Sequence, residues 1–306
     1  MAVIIHHTDA DGWLGAAVCA KYLKENYDEE IKFIPFSYSS IDISKINRGE
    51  RVICVDTSLN NNDEALKQWE DVFNQSMNVV FIDHHQSTID VIKERPDFFS
   101  KHNVDAFIST ERSGCYLAYI KFFCNGDLNT SYLDIPDVVE IVDDFDRFIL
   151  KIENSKIFVK SLDMYDCDPS TKEGLEFWLE LLDNNYFGEV EGKMTRIGEM
   201  YMKGQQSQWE KLRKGGLYIS VIQDKDGNEH EVAVLNADGY SDMFGEQYEK
   251  YDACCLWNMT KDGKYSYSLY SHDNKFNCKE FAERYGGGGH PGASGFTIDQ
   301  LLFLPV

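Results

Sequence analysis

The 306-residue chain carries 52 acidic against 30 basic side chains, a formal charge of −22. Such a surface repels a phosphate backbone over a Debye length and excludes a processive, groove-tracking DNA binder. Hydrophobic content of 43%, with 13% aromatic, supplies cores for two domains of ordinary size and excludes global disorder.

The eight cysteines are scattered, with no CxxC pair and no zinc-finger spacing. Those in apolar runs (Cys19, Cys54, Cys115, Cys254, Cys255) read as small buried hydrophobes. The first residues read as a strand rather than a signal peptide, and no apolar run approaches a membrane span. The expectation is a soluble protein of a reducing cytoplasm.

Val3-Ile4-Ile5 reads as a short strand leading into His6-His7-Thr8-Asp9-Ala10-Asp11-Gly12. From Gly12 to Lys24 the spacing is helical, and Gly12 and Gly15 would allow close approach to the sheet or to a ligand. Ile31 to Phe36 reads as a strand ended by proline. Arg51 to Val55 is the next strand and leads into Asp56-Thr57-Ser58, followed by a helix from about Asn62 to Phe73. Asn78 to Ile82, β-branched and aromatic, reads as a buried strand that stops at Asp83-His84-His85-Gln86. Alternating strands and helices predict an α/β domain with a doubly wound parallel sheet.

Open α/β sheets bind ligands at the carboxyl ends of their strands. Three such ends would gather His7, Asp9, Asp11, Asp56, Asp83, His84 and His85 into one crevice. Carboxylates that close repel one another and raise each other's pKa unless cations sit among them. Two divalent ions fit so many anionic ligands better than one. Imidazole with carboxylate suits a mixed site for an ion such as Mn²⁺.

Ser109 to Gly114 precedes a helix running through Phe122, where Ser113 reads as an N-cap rather than a nucleophile. Asp134 to Phe148 reads as a helix ending in Asp143, Asp144 and Asp146. Acids at a helix's carboxyl end are electrostatically unfavourable. Either this end is simply solvated or it supplies a last metal carboxylate. Residues 155–214 are helical in pattern, with Arg213-Lys214-Gly215-Gly216 as the stop.

Past Gly216 the pattern changes to an α+β domain. Asp226-Gly227 and Asp262-Gly263 mark two hairpins, and Ser241 to Glu249 resembles a helix between them. Cys254-Cys255 lies mid-strand, facing opposite sides. Asn277-Cys278-Lys279-Glu280 resembles a capping box. The run Gly286-Gly287-Gly288-Gly289-His290 reads as a loop before a short helix, with backbone N–H groups free to cradle an anion and His290 at its tip. His102, His230 and His272 read as ordinary surface or strand histidines. Three parts are expected: 1–154 with the metal site, a helical connector over 155–215, and a smaller α+β domain over 216–306.

Taken together, HTDADG, VDTS, IDHHQ, an Asp-rich helix end and GGGGHPGASGF resemble the DHH phosphoesterase superfamily with its associated C-terminal domain. VDDFDRF followed by helices is similar to the oligoribonuclease (nanoRNase) branch, which includes cyclic-nucleotide phosphodiesterases. The resemblance implies two Mn²⁺ or Mg²⁺ ions, with His7 and Asp9 on one, Asp11, His84 and Asp144 on the other, and Asp56 bridging. It implies that Asp83 orients neighbouring groups, that His85 faces the phosphate, and that His290 with Gly286, Gly287, Gly288 and Gly289 grips the substrate's end. Where many relatives carry arginine in Ser-Leu-Arg-Ser, this chain has Tyr270.

The activity expected is hydrolysis of short oligonucleotides or linear dinucleotides to 5′-mononucleotides, with Asp56, Asp83 and His85 in the catalytic group. Rival activities are cleavage of a cyclic mono- or dinucleotide, of pyrophosphate or of polyphosphate; a nucleotide-binding sensor is the non-enzymatic rival. No long nucleic acid and no membrane is expected as partner, and a homodimer is compatible with the sequence.

Overall fold

The computed structural model describes residues 1–27, 29–36, 41–129 and 135–305. The chain divides into two compact units, Met1–Tyr201 and Met202–Val306.

The first unit is built on β1 (Ala2–His7), β2 (Ile31–Phe36), β3 (Arg51–Val55), β4 (Asn78–Asp83) and β5 (Val104–Ile108), in the order β2-β1-β3-β4-β5. Every pairing is parallel. Alternate residues of each strand feed two cores. Ile4, Ile53 and Ile82 pack on one face with Leu14 and Leu117, while Val3, Ile5, Cys54 and Phe81 pack on the other with Leu66 and Trp69. This double burial explains the near-continuous apolar runs of the central strands.

Helix α1 (Ala10–Asn26) follows β1, α2 (Asp63–Gln75) follows β3, α3 (Gln86–Glu94) follows β4 and α4 (Gly114–Phe123) follows β5. The sheet reverses its direction of growth between β1 and β3, which opens a crevice at their carboxyl ends. Two details depart from the reading of the sequence. Pro35 lies within β2 rather than ending it, which an edge strand tolerates because its outer N–H groups need no partner. The short fifth strand β5 was not singled out from the sequence.

After α5 (Asp137–Asp146), helices α6 (Ser155–Ser161) and α7 (Lys172–Leu181) bury Phe158, Trp178 and Leu181 in the first unit's core. Helix α5 thus starts later than expected, and Asp134 lies outside the described residues. The helical connector expected over 155–215 is not a body of its own: α6 and α7 belong to the first unit. Helix α8 (Asn184–Gly216) runs through the division between the units.

The second unit is a mixed six-stranded sheet in the order β10-β11-β9-β8-β7-β6. Strands β6 (Tyr218–Gln223) and β7 (Glu229–Asn236) form the hairpin at Asp226-Gly227; β8 (Ala253–Met259) and β9 (Tyr265–Tyr270) form that at Asp262-Gly263. Both glycines take positive φ, +84° and +82°, as such turns require. Cys254 and Cys255 fall on opposite faces of β8, in separate cores. The segment read as one helix over Ser241 to Glu249 is broken into a 3-10 turn and α9 (Gln247–Lys250) by Gly245 at φ +55°.

Helix α10 (Cys278–Glu283) is capped by the Asn277 side chain, which accepts from Glu280 N at 3.2 Å. The glycine run after it corrects the expectation of an anion loop before a helix. Gly288–His290 is strand β10, paired antiparallel with β11 (Ala293–Ile298). A Cβ on Gly287 would stand 2.1 Å from Gly295 O, and one on Gly289 2.6 Å from Ala293 O. The glycines let two backbones approach.

Candidate metal centre

The carboxyl end of β1 delivers His7, and the turn into α1 delivers Asp9 and Asp11. Asp9 caps α1: its Oδ1 accepts from Gly12 N at 2.9 Å, and its Oδ2 lies 2.7 Å from His7 Nδ1. Gly12 cannot be larger, since a Cβ there would sit 2.4 Å from His7 O. Asp11 points into the sheet crevice at 1% exposure. Its two oxygens accept from Gly114 N at 2.7 Å and Cys115 N at 2.8 Å, the first N–H groups of α4. Ser113 occupies the N-cap position without a side-chain capping bond, so Asp11 performs the capping that the sequence suggests for Ser113.

Asp56 leaves β3 in the left-handed region, with φ 56°, and is 2% exposed. Neither of its carboxylate oxygens has a hydrogen-bond partner among the described residues. Around them stand His84 Nε2 at 3.2 Å, His7 Nδ1 at 3.7 Å and His85 Nδ1 at 3.8 Å. Burial, and then the charges of Asp11, Asp9, Asp83 and Asp146, push this carboxyl well above its ordinary range. A doubly orphaned, buried carboxylate among acids and imidazoles is costly as it stands. A cation among them removes the cost.

At the end of β4, Asp83 is fully buried and its Oδ1 lies 2.8 Å from His85 Nδ1. Burial pulls the His85 ring down, but the Asp83 carboxylate outweighs this and raises it above the ordinary histidine value. His84 Nε2 looks at three carboxylates: Asp56 at 3.2 Å, Asp146 at 3.5 Å and Asp11 at 3.6 Å.

Three overlapping groups have the reach of a metal's ligand set: His7, Asp9 and Asp56; Asp56, His84 and His85; and Asp11, His84 and Asp146. The donors are hard carboxylates with imidazoles, the mixture that suits divalent Mn or Mg with some zinc or iron character. Asp56 belongs to two of these groups, which is what a bridging ligand requires.

The carboxylate from α5 is a correction. Asp144, expected as a ligand, turns away: its oxygens accept from Lys151 N at 2.8 Å and Ile152 N at 3.2 Å, holding the turn after the helix. Asp143 is also engaged, accepting from Ser113 N at 2.6 Å and from Arg112 Nη1 at 3.0 Å. Asp146 faces the cluster, with Oδ2 unpartnered among the described residues. Burial and the charges of Asp11, Asp9 and Asp143 push it up to about 9. A cavity of about 250 Å³ opens here, lined by Asp9, Asp11 and Asp146 together with Trp13, Phe145 and Lys160.

His290 and Gly286 to Gly289 lie in the second unit, and His290 is exposed on β10. Tyr270, where an arginine was noted as common, packs against the second unit's core and donates its hydroxyl to Gly239 O at 3.2 Å. No helix of the described residues is long and apolar enough to cross a membrane.

Residues 1–138 match the model of the DHH family, N-terminal domain, and residues 217–305 match that of the DHHA1 domain. An oligoribonuclease, NrnB, of Bacillus subtilis is 24% identical over 97% of this chain and 73% of its own length. An uncharacterized protein, R106, of Acanthamoeba polyphaga mimivirus is 22% identical over 98% of this chain and 68% of its own. Among solved structures, a pGpG-specific phosphodiesterase, PggH, from Vibrio cholerae superposes with a TM-score of 0.55 at 15% identity. That superposition covers 97% of this chain and 93% of the other.

Proposed function

We propose, from the premise that this chain belongs to the DHH family and ends in a DHHA1 domain, that it is a metal-dependent phosphodiesterase. Its substrates on this reading are short oligonucleotides or linear dinucleotides, cleaved to 5′-mononucleotides. The observation that carries the reading is Asp56, a buried carboxylate with both oxygens unpartnered among the described residues, at the meeting point of three imidazoles and four further acids. The names of the relatives support the substrate class, since one is called an oligoribonuclease and another a pGpG-specific phosphodiesterase.

The residues that would hold two divalent ions are His7, Asp9 and Asp56 on one side and Asp11, His84, Asp146 and Asp56 on the other. Bound there, the ions would supply charge neutralisation at the phosphoryl oxygens and acidify water for in-line attack. The chain's own part is orientation. The N-terminal N–H groups of α4 fix the Asp11 carboxylate, and Gly12 fixes Asp9. Asp83 fixes the His85 ring through Nδ1, which makes Nε2 the nitrogen to meet a phosphoryl oxygen. Lys160 and the aromatic Trp13 and Phe145 line the cavity beside the acids and give a substrate both charge and a flat surface.

His290 and the glycines before it are proposed to receive the substrate's end, from an exposed edge strand rather than a loop before a helix. Mn²⁺ is the ion, and the cytoplasm the compartment, that complete the proposal. The test is hydrolysis with Mn²⁺ of a panel of dinucleotides, pentanucleotides, a long single strand, cyclic nucleotides and pyrophosphate. Dinucleotides should be cleaved well and the long strand poorly, because 22 excess acids deny it the phosphate contacts that give length its affinity. Preferred turnover of the long strand would make this a general exonuclease; turnover of pyrophosphate alone would remove the phosphodiesterase.

A further inference from the structure

A second cavity, of about 470 Å³, lies on the other side of His85, at the α2 and α3 face of the sheet. We propose that it seats one nucleoside flanking the scissile phosphate, an inference that rests on the phosphodiesterase reading above. Position is the first argument. His85 lines this cavity while its Nδ1 stands 3.8 Å from Asp56 Oδ1, so a group in the cavity abuts the metal centre.

Lining chemistry is the second. No lysine or arginine is found among its described lining residues, and Asp90 there is occupied by Gln86 Nε2 at 2.8 Å and Lys93 Nζ at 3.3 Å. Apart from His85 at its edge, a second phosphate would find no cation among them. Phe36 and Trp69 give an apolar wall, and Ser58 and Asn60 give neutral donors and acceptors. That mixture, at this size, is the usual make-up of a small-molecule pocket and suits an uncharged heterocycle with its sugar.

Unused polar groups are the third. Trp69 is 2% exposed and Ser58 8%. Neither the indole N–H nor the Ser58 hydroxyl makes a hydrogen bond among the described residues. A tryptophan so enclosed normally has a partner for its indole N–H. A base or ribose oxygen in the cavity provides one.

The test uses the full chain with Mg²⁺ and ¹⁵N-labelled indoles, the Trp69 signal being assigned by its loss in Trp69→Phe. Adenosine and guanosine 5′-monophosphate should shift the Trp69 indole resonance, and inorganic phosphate should not. Ala65→Phe, which fills the cavity from α2, should abolish the shift and raise KM for a dinucleotide at least tenfold. Its rate on bis(p-nitrophenyl) phosphate, which has no nucleoside, should change less than twofold. If Ala65→Phe fails to fold, the smaller Ala65→Leu carries the same comparison. An unmoved indole signal, the same shift with phosphate alone, or equal losses on both esters would overturn the proposal. Should the wild-type chain hydrolyse neither ester, the phosphodiesterase reading falls, and the resonance still decides whether the cavity takes a nucleoside.

Discussion

Replacing Asp146 and Asp144 in turn by asparagine separates a carboxylate of the metal centre from one that holds the backbone. Burial and the facing charges of Asp11, Asp9 and Asp143 keep the Asp146 proton on up to about 9, against 3.8 for a free carboxyl. From 3.8 upward the folded metal-free chain therefore binds more protons than the unfolded one. Its stability falls as pH rises through that window and levels above about 9. Integrated to neutral pH the penalty is at most about 4 kcal/mol. Solvent at a side chain 23% exposed reduces it to about 2 kcal/mol.

Asp146→Asn removes that penalty, so the metal-free variant should melt higher than the wild-type chain. Mn²⁺ should then stabilise it less, because only the ion on His7, Asp9 and Asp56 keeps its full ligand set, whereas in the wild-type chain an excess of about a hundredfold over Kd adds about 2.7 kcal/mol for each ion. Asp144→Asn should do the reverse. Two backbone N–H groups lose an ionised acceptor, a loss of about 1–3 kcal/mol, while the rise with Mn²⁺ survives. Thermal denaturation in chelator and in Mn²⁺ reads both. A Mn²⁺-dependent rise undiminished in Asp146→Asn and diminished in Asp144→Asn would refute the assignment.

Gly114→Ala should abolish Mn²⁺-dependent turnover and lower stability by about 1–3 kcal/mol, because its Cβ would stand 2.7 Å from Asp56 Cβ and 3.0 Å from Asp11 Oδ2. A rate assay with a urea melt checks it; full activity would mean that the α4 terminus is not packed against the centre. His290→Ala should raise KM for a dinucleotide about tenfold or more, a loss of roughly 1.4 kcal/mol, and leave Mn²⁺ affinity unchanged by calorimetry. An equal loss of metal affinity would instead make His290 a ligand.

Much of the centre was legible because strands buried on both faces leave little room for polar residues until they end. Val79 to Ile82 run apolar into Asp83-His84-His85, and Val52 to Val55 into Asp56, so the ligands announce the carboxyl edge of the sheet. The acids of α5 gave no such signal. Successive residues turn by about 100°, so Asp143, Asp144 and Asp146 point three ways. What selects among them is non-local: Ser113 and Arg112 take Asp143, and the backbone of Lys151 and Ile152 takes Asp144. Neither partner is visible from the helix itself. The turn that claims Asp144 is unusual, with Phe148 and Leu150 at φ 54° and 52°, and no glycine marks it.

The glycine run is ambiguous in sequence for a related reason. Glycine serves an anion cradle and a close backbone crossing equally well, and only the pairing of β10 with β11 distinguishes them. The cavity beside His85 leaves no motif at all, since its walls come from β2, the segment between β3 and α2, α2 and α3 as ordinary serine, asparagine and aromatic residues.

The claim that two divalent ions share one buried carboxylate is tested most directly by titrating Mn²⁺ calorimetrically into the wild-type chain and into Asp56→Asn. Asparagine tolerates the left-handed backbone at this position and keeps nearly the same volume, so the fold should persist by circular dichroism. It carries no charge and offers only one oxygen, so it cannot bridge. The wild-type chain should bind two ions per chain and hydrolyse a dinucleotide. Asp56→Asn should lose tight binding of both ions and all metal-dependent turnover. Unchanged stoichiometry and affinity in Asp56→Asn, with wild-type rates, would contradict the two-metal account.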